Sequence, residues 1–268
     1  MNMMNTVSRL LTPVSCLLIA ASCLLTSCDN IDRDNRLIYE KPAAAKRTVL
    51  LEDFTGQRCI NCPKGTEVIE QLVGEYGDAV VAVGIHGGPL GFKGNAANVG
   101  LATETGDEYY SHWKLEYQPV GMVDRHNPVN YPEWAATVRE ELSKPATLDL
   151  NAQADIDSDN NIRIMVAAFG TDGTTTGKIQ LWVLEDGITA LQLMPDGSSN
   201  NEYVHNHVFR KAVNGIWGDD FTVSEGESKV LDFTQALDAA WNADRLSIVA
   251  FVYNDNGVQQ VVKAKVGY

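Results

Sequence analysis

The spacing of apolar residues changes its period near residue 145. Before that point, two short apolar runs at 48–55 and 79–85 have the composition of strands that are covered on both faces. Between them, apolar side chains recur at helical spacing over 66–76, and Gly77 stands where such a helix would end. The order strand, helix, strand predicts a parallel β-α-β unit.

The remainder of the first half continues this mixed pattern. We interpret 87–117 as a partly helical insertion and 119–124 as a further strand. The segment 130–133 has the pattern of a capped helix start with Pro132 in the first turn, residues 134–142 continue this helix, and Lys144-Pro145 ends it.

After residue 146, apolar and polar residues alternate, which is typical of half-buried strands. Asp172-Gly173 and Asn256-Gly257 are hairpin signals between such strands. The pattern predicts an antiparallel β-sandwich of about seven or eight strands over 146–268, with one short helix within 232–242. The clearest alternating sets are Ile162, Ile164, Val166 and Ala168; Ile179, Leu181 and Val183; and Leu246, Ile248, Ala250 and Val252.

The first 27 residues have the pattern of a targeting segment. They carry one base, Arg9, no acid, and an apolar run shorter than the about 20 residues of a transmembrane helix. Leu25-Thr26-Ser27-Cys28 follows and resembles the lipobox of bacterial lipoproteins. The resemblance implies that 1–27 is a cleaved signal peptide and that fatty acyl groups such as palmitate are attached to Cys28. Several acyl chains together anchor a protein stably in a membrane.

Two alternatives remain open at this end of the chain. One is an ordinary secretory signal with Cys28 merely nearby, and a weaker one is cleavage before Cys23. Residues 28–47 form an acidic, polar tether in either case. In some Gram-negative anaerobes, such an acidic start resembles the signal that exports lipoproteins to the cell surface.

The charge of the chain excludes one class of partner. Of 268 residues, 44% are hydrophobic and 21% are charged, and the formal net charge is -14. Removal of 1–27 takes away Arg9 and no acid, so the mature charge is -14 minus 1, or -15. Nucleic acids require clustered Lys and Arg, so we exclude them as partners.

Cys59 and Cys62 are the candidate chemical centre. They lie three residues apart, after the first predicted strand and at the start of the first predicted helix, where the partial positive charge of a helix amino terminus favours a thiolate. This context predicts a redox-type pair, with Cys59 as nucleophile and Cys62 as resolving thiol. The alternative is a static disulfide, although so short a loop removes little chain entropy.

The segment Asp53-Phe54-Thr55-Gly56-Gln57-Arg58-Cys59 resembles the active-site strand of thioredoxins, in which an Asp-Phe pair precedes the first cysteine. The resemblance implies a thioredoxin-like domain over 48–145, followed by the β-sandwich domain. It further implies that Asp53 is a buried acid that helps to deprotonate Cys62, and that Pro119 is a cis-proline that faces the cysteines.

With Leu51 to Pro63 as its signature, the mature chain more closely resembles the 28-kilodalton outer-membrane lipoprotein family of oral and gut Gram-negative anaerobes. That family combines a thioredoxin-like domain with a C-terminal β-sandwich. Its members are described as surface adhesin or receptor candidates rather than proven oxidoreductases. Arg58, Ile60-Asn61 and Gln118 depart from the thioredoxin residues at their positions, which leaves substrate handling open.

One weaker signal concerns calcium. Asp155, Asp157 and Asp159 begin like a calcium loop, but Val166 stands at the twelfth position, where that loop requires a bidentate Glu. We therefore interpret the segment as a polar hairpin turn, with adventitious calcium as the alternative.

The histidines and aromatic residues give further weak signals. His205 and His207 would share one face of a strand, but without a third ligand we interpret them as solvated. We interpret His86 as a loop histidine without a role, with a position near the cysteines at the carboxyl end of its strand as the alternative. We predict no metal and no other cofactor. Three aromatic residues form either a binding surface or part of the core: Tyr109, Tyr110 and Trp113.

Two functions agree with these observations. The first is a lipoprotein anchored to the outer membrane through Cys28, facing the cell surface or the periplasm, which binds extracellular protein or glycan ligands as an adhesin or receptor. The second is an extracytoplasmic thiol-disulfide oxidoreductase that uses Cys59 and Cys62. The oligomeric state is left open by both.

Overall fold

The computed structural model describes residues 40–267. The predicted signal peptide, Cys28 and most of the predicted tether lie outside these residues. Lys41–Tyr268 form one compact unit, which is mixed α/β and mostly β-sheet.

The first half of the unit contains the predicted β-α-β arrangement. Its elements are β1 (Val49–Thr55), α1 (Cys62–Tyr76), β2 (Val80–His86), α2 (Glu104–His112), β3 (Val120–Val123), β4 (Val129–Asn130) and α3 (Trp134–Leu142). β1 pairs in parallel with β2 and antiparallel with β3. Helix α1 begins earlier than its apolar spacing indicates, because Pro63 in the first turn favours a helix start.

Both faces of β1 and β2 are covered, which explains why every residue of these two strands is buried. On one face, α1 and α3 pack around Leu72 and Trp134. On the other face, Tyr109 and Tyr110 of α2 join the apolar core, and Trp113 packs against it. These aromatic residues therefore belong to the core rather than to a binding surface.

The second half consists of ten strands, more than the predicted seven or eight. They are β5 (Leu148–Ile156), β6 (Asn161–Gly170), β7 (Thr174–Glu185), β8 (Ile188–Leu193), β9 (Ser199–His205), β10 (Val208–Ala212), β11 (Asp219–Ser224), β12 (Ser228–Ala236), β13 (Leu246–Asn254) and β14 (Gly257–Gly267). The inward residues of β5, β6, β7 and β13 enclose one apolar core, as the alternation predicts.

The predicted helix within 232–242 is wrong. Strand β12 occupies Ser228–Ala236 and pairs with β6 along its whole length. Its burial alternates, with Leu231 and Phe233 half-buried against the core of β5 and β6. The ladder with β6 therefore overrides the local helix propensity of this alanine-containing segment.

The two halves meet in a single sheet of order β12-β6-β5-β14-β13-β7-β10-β2-β1-β3-β4, with β11 on β7. The link between the halves is a parallel pairing of β10 with β2, at Val208 and Gly84. The predicted domain boundary near Pro145 falls between α3 and β5 and stays a prediction. β8 and β9 form a separate hairpin outside this sheet.

The close contact between Gly121 and Trp134 in the first half allows the tightness of the core to be tested. Trp134 is fully buried, and a methyl group on Gly121 would overlap its Nε1. We expect Gly121→Ala to lower the free energy of unfolding by about 1–3 kcal/mol, as overpacking of a core does.

Gly74 of α1 is the matched control. A methyl group there meets no atom of the described chain within 4 Å, so Gly74→Ala should raise the free energy of unfolding by ~0.5–1 kcal/mol. Urea unfolding of both variants measures the difference. Equal effects of the two substitutions would show that the contact of Gly121 with Trp134 is not tight.

Candidate functional site

Cys59 and Cys62 form a disulfide in the turn that leads from β1 into α1. Their Cα atoms are 5.4 Å apart and their sulfur atoms 2.09 Å apart. The turn is closed by hydrogen bonds from Cys59 N to the carbonyl oxygen of Gly56 and from Cys62 N to that of Cys59. Each cysteine exposes only 1% of its surface, so the disulfide is shielded from solvent.

The hairpin β8–β9 lies against this turn. The side-chain amide of Gln192 donates to the carbonyl oxygen of Cys59 at 2.9 Å. The main-chain N–H of Leu193 donates to the carbonyl oxygen of Gln57 at 2.9 Å. The second half of the chain therefore contacts the turn that carries the cysteines.

The side chain of Gln57 makes a further contact with the hairpin. Its side chain is fully buried, and its amide nitrogen donates to the carbonyl oxygens of Val99 and Leu191 at 3.0 Å each. Its amide oxygen accepts from Leu101 N at 2.8 Å. A buried amide with all these partners holds three segments in one arrangement.

The Gln118–Pro119 peptide bond is cis, the conformation that the thioredoxin resemblance implied. A methyl group on Gly65 of α1 would lie 3.3 Å from Pro119 Cβ, so this loop lies next to the first turns of α1. The predicted role of Pro119 opposite the cysteines stays a prediction.

Gln118 is one of the departures from thioredoxins, and its side chain connects the ends of two strands. Its amide nitrogen donates to the carbonyl oxygens of Thr55 at 2.7 Å and Gly87 at 3.0 Å. Its amide oxygen accepts from Leu90 N at 3.1 Å. Gln118 thereby holds together the segments that follow β1 and β2.

Asp53 lies on β1 and is 3% exposed. Burial raises the pKa of its carboxyl group to about 8, so the group is mostly protonated at pH 7. Its Oδ1 has no hydrogen-bond partner within residues 40–267. The predicted buried acid is thus present, and its action on Cys62 stays a prediction.

Two buried histidines share a small cavity of about 40 Å³ with Asp53. The rings of His86 and His205 meet edge to face, with centroids 5.3 Å apart. Burial lowers the pKa of His205 to about 4. Burial also lowers the pKa of His86, and the neighbouring His205 and Arg210 lower it further. Both imidazoles are therefore neutral at pH 7.

The predicted solvated strand face that carries both His205 and His207 is wrong, because His205 is only 6% exposed and the two residues do not share a strand. Strand β9 ends at His205, and His207 has a φ of 57°, so the chain turns between them. His207 instead lies with its Nδ1 3.2 Å from Asp186. Within the described range, no group of three or more His, Cys, Asp or Glu side chains is arranged to hold a metal ion.

The predicted polar hairpin turn between β5 and β6 is present. Asp157 Oδ1 accepts from the main-chain N–H groups of Asp159 and Asn161 at 2.9 Å each. Its Oδ2 accepts from Arg163 Nε at 2.7 Å. The carboxylate therefore closes the turn, in agreement with the interpretation as a turn rather than a calcium loop.

A second concave region lies away from the disulfide. It is a cleft of about 760 Å³ between the start of β2 and the strands β13 and β14. Its lining includes Ala82, Ser247 and the basic residues Lys46 and Lys265. No local pattern in the sequence indicates this cleft, because it is formed by segments that are distant along the chain.

A family model described as outer membrane protein Omp28 matches residues 106–268, which is more than half of the chain. The chain belongs to the Omp28 family of outer membrane proteins. This confirms the family predicted from the sequence and places the protein in the outer membrane. No helix among residues 40–267 has the length and apolar character needed to cross a membrane. No curated protein matches this Omp28-family chain.

Two solved structures are similar to this Omp28-family member. HBP35 of Porphyromonas gingivalis aligns with a TM-score of 0.66 and 16% identity, covering 84% of this chain and 77% of that one. A domain of the outer membrane lipoprotein Omp28 from the same organism has 28% identity and a TM-score of 0.34, covering 46% of this chain and 89% of that one. The likeness to HBP35 concerns the fold.

The buried carboxyl group of Asp53 makes stability depend on pH. Its folded pKa of about 8 lies above the ordinary value of 3.8, so the folded state binds more protons between these values and stability falls as pH rises. Asp53→Asn removes this loss. We expect the free energy of unfolding of the variant, relative to that of the parent chain, to increase between pH 4 and pH 8 by on the order of a few kcal/mol. Urea unfolding at several pH values measures this difference. A gain that does not change with pH would contradict the shift.

The hydrogen bond from Gln192 to the carbonyl oxygen of Cys59 connects the hairpin to the turn that carries the buried disulfide. We expect Gln192→Ala to accelerate reduction of the disulfide by dithiothreitol about fivefold, because loss of a buried hydrogen bond weakens the contact of the hairpin with the turn by ~1 kcal/mol. Gln153→Ala, on an exposed position of β5, is the control. Identical reduction rates in the two variants would show that the hairpin does not limit access.

Proposed function

We propose that this Omp28-family protein is a binding protein of the adhesin or receptor type, in which the Cys59–Cys62 disulfide is structural. The observation that carries the proposal is the burial of both cysteines, each 1% exposed, in a turn that the hairpin β8–β9 contacts through Gln192. Thiol-disulfide exchange requires a substrate sulfur to reach the attacked sulfur directly, and a disulfide with so little exposed surface hinders that approach.

We further propose that the layer formed by β1, α1, β2 and β3 is thioredoxin-like and serves as a scaffold. The parallel pair β1 and β2, the Cys-x-x-Cys turn before α1 and the cis Gln118–Pro119 bond support this. Apart from the separate hairpin β8–β9, the strands from β5 onward would then form the sandwich that presents the recognition surface, with the large cleft at the junction of the two layers.

The proposed lipid anchorage depends on Cys28, which lies outside the described residues. We propose that acyl groups on Cys28 anchor the protein to the outer membrane. Mass spectrometry of the native protein should find Cys28 acylated as the first residue, and an unmodified Cys28 would contradict the proposal. Protease treatment of intact and lysed cells distinguishes the cell surface from the periplasm.

A second candidate function is thiol-disulfide oxidoreductase. The specific observation that favours it is Asp53, a buried acid with a pKa of about 8 on the strand that leads to Cys59. A carboxyl group of this kind can exchange a proton near neutral pH. This function requires the hairpin β8–β9 to open, whereas binding does not.

One pair of assays separates the two functions. We expect the full-length chain to show no insulin reduction above the dithiothreitol background, and no difference after Cys59→Ser. Binding to immobilised host matrix proteins and glycans should be the same in the parent chain and in Cys59→Ser. Insulin reduction that is lost on Cys59→Ser would contradict the scaffold role and establish the oxidoreductase.

A further inference from the structure

The strand β10 starts too late to cover the whole of β2. Its only pairing with β2 is at Val208 and Gly84, next to a hydrogen bond of 2.8 Å from Gly84 N to the carbonyl oxygen of His207. Before that point the chain turns away, with His207 at a φ of 57°. Within the described chain, the part of β2 from Val80 to Val83 therefore has no strand partner on this side.

The open part of β2 presents main-chain hydrogen-bonding groups. Residues two apart in a strand direct their N–H and C=O groups to the same side, so Ala82 faces the same edge as Gly84. The N–H of Val80 is satisfied by the carbonyl oxygen of Gly77. Ala82 is 3% exposed, and no residue of the described range pairs with its N–H or C=O on this edge.

The cleft of about 760 Å³ opens onto this edge. Ser247, at the start of β13, also lines the cleft; it is 3% exposed, and its Oγ has no hydrogen-bond partner within residues 40–267. A buried hydroxyl group and a buried strand edge without partners are unfavourable unless a ligand or water supplies the hydrogen bonds. The cleft is therefore lined by residues of β2 and β13 whose polar groups lack partners within the described chain.

The charges around the cleft have both signs. Asp186 is already paired with Lys263 at 3.5 Å, and the Nδ1 of His207 lies 3.2 Å from its carboxylate. Six other charged residues of the lining make no ion pair within the described part of the chain: Lys46, Arg245, Lys265, Asp78, Asp149 and Asp244. A ligand that carries both acidic and basic groups complements this arrangement.

We propose that this cleft binds an extended peptide segment of a partner protein, which adds to the open edge of β2 as a strand. The unpaired edge favours a peptide over a glycan, because strand addition takes its affinity from main-chain hydrogen bonds. Ser247 and the unpaired charged residues select the side chains of the peptide. The proposal rests on the binding function proposed above and names its ligand class and site.

The experiment is a selection on the purified full-length chain with a phage-displayed library of random dodecapeptides, run beside a glycan array. The most enriched peptide is synthesised with a fluorophore and its affinity is measured by anisotropy. We expect the double variant Lys46→Glu/Lys265→Glu to weaken binding about tenfold, since it reverses two charges of the cleft. Lys229→Glu, on the distant edge strand β12, should leave affinity unchanged.

Amide hydrogen exchange locates the peptide directly. We expect exchange of the Ala82 amide to slow at least about tenfold when the peptide is bound, because the amide gains a main-chain partner. A Ser247→Ala variant is a conservative second test of the cleft. It should weaken peptide binding without unfolding the chain.

Three outcomes would overturn the proposal. Absence of any enriched peptide, or glycan binding that is lost in the double lysine variant, would show that the ligand class is wrong. Peptide binding that is insensitive to both cleft variants and leaves exchange of Ala82 unchanged would show that the site is wrong. The last two outcomes leave the general binding function standing, whereas redox activity lost on Cys59→Ser would remove that function itself.

Discussion

The arrangement of this protein depends on a pair of buried glutamine amides. Gln57, beside the cysteines, and Gln192, on the hairpin β8–β9, exchange hydrogen bonds with the main chain of each other's segments. A buried amide that loses its partners is strongly unfavourable, so the two side chains fix the hairpin on the cysteine turn. The two side chains therefore connect the hairpin to the turn that carries the buried disulfide, and the burial of that disulfide supports the proposed role of the domain as a scaffold.

The path of the chain between β7 and β10 also explains the cleft. After β7, the chain leaves the sheet, crosses the cysteine turn as β8 and β9, and returns to the sheet only at Val208. Because it returns late, β10 covers only the end of β2 and leaves the edge at Ala82 open. The segment between β7 and β10 thus both places the hairpin against the cysteine turn and leaves the edge of β2 open.

Much of the fold could be predicted from the sequence, because periodicity records which faces of an element are buried. The runs that became β1 and β2 are apolar throughout, and α3 follows its apolar spacing over Trp134–Leu142. The segment at β12 shows the limit of this approach, since pairing with β6 overrode its helical tendency.

The candidate site was only partly predictable. The cysteine motif, Asp53 and Pro119 lie in segments with local signatures, and these could be found directly. Gln57 and Gln192 could not, because their contacts join residues about 130 positions apart and a glutamine carries no positional signature. His86 and His205 likewise became neighbours only through the return of the chain from β9. The cleft depends on where β10 starts, which no single segment reveals.

The most direct test of the account is the reactivity of Cys59 in the folded, reduced chain. The full-length protein would be reduced, refolded under reductant and treated with iodoacetamide at pH 8, with modification of Cys59 followed by mass spectrometry. If the hairpin shields the cysteines, modification should be about a hundredfold slower in the folded chain than in urea, because it requires the hairpin to open first. Equal rates in the folded and unfolded chains would show that the sulfur is accessible and that the scaffold role is wrong.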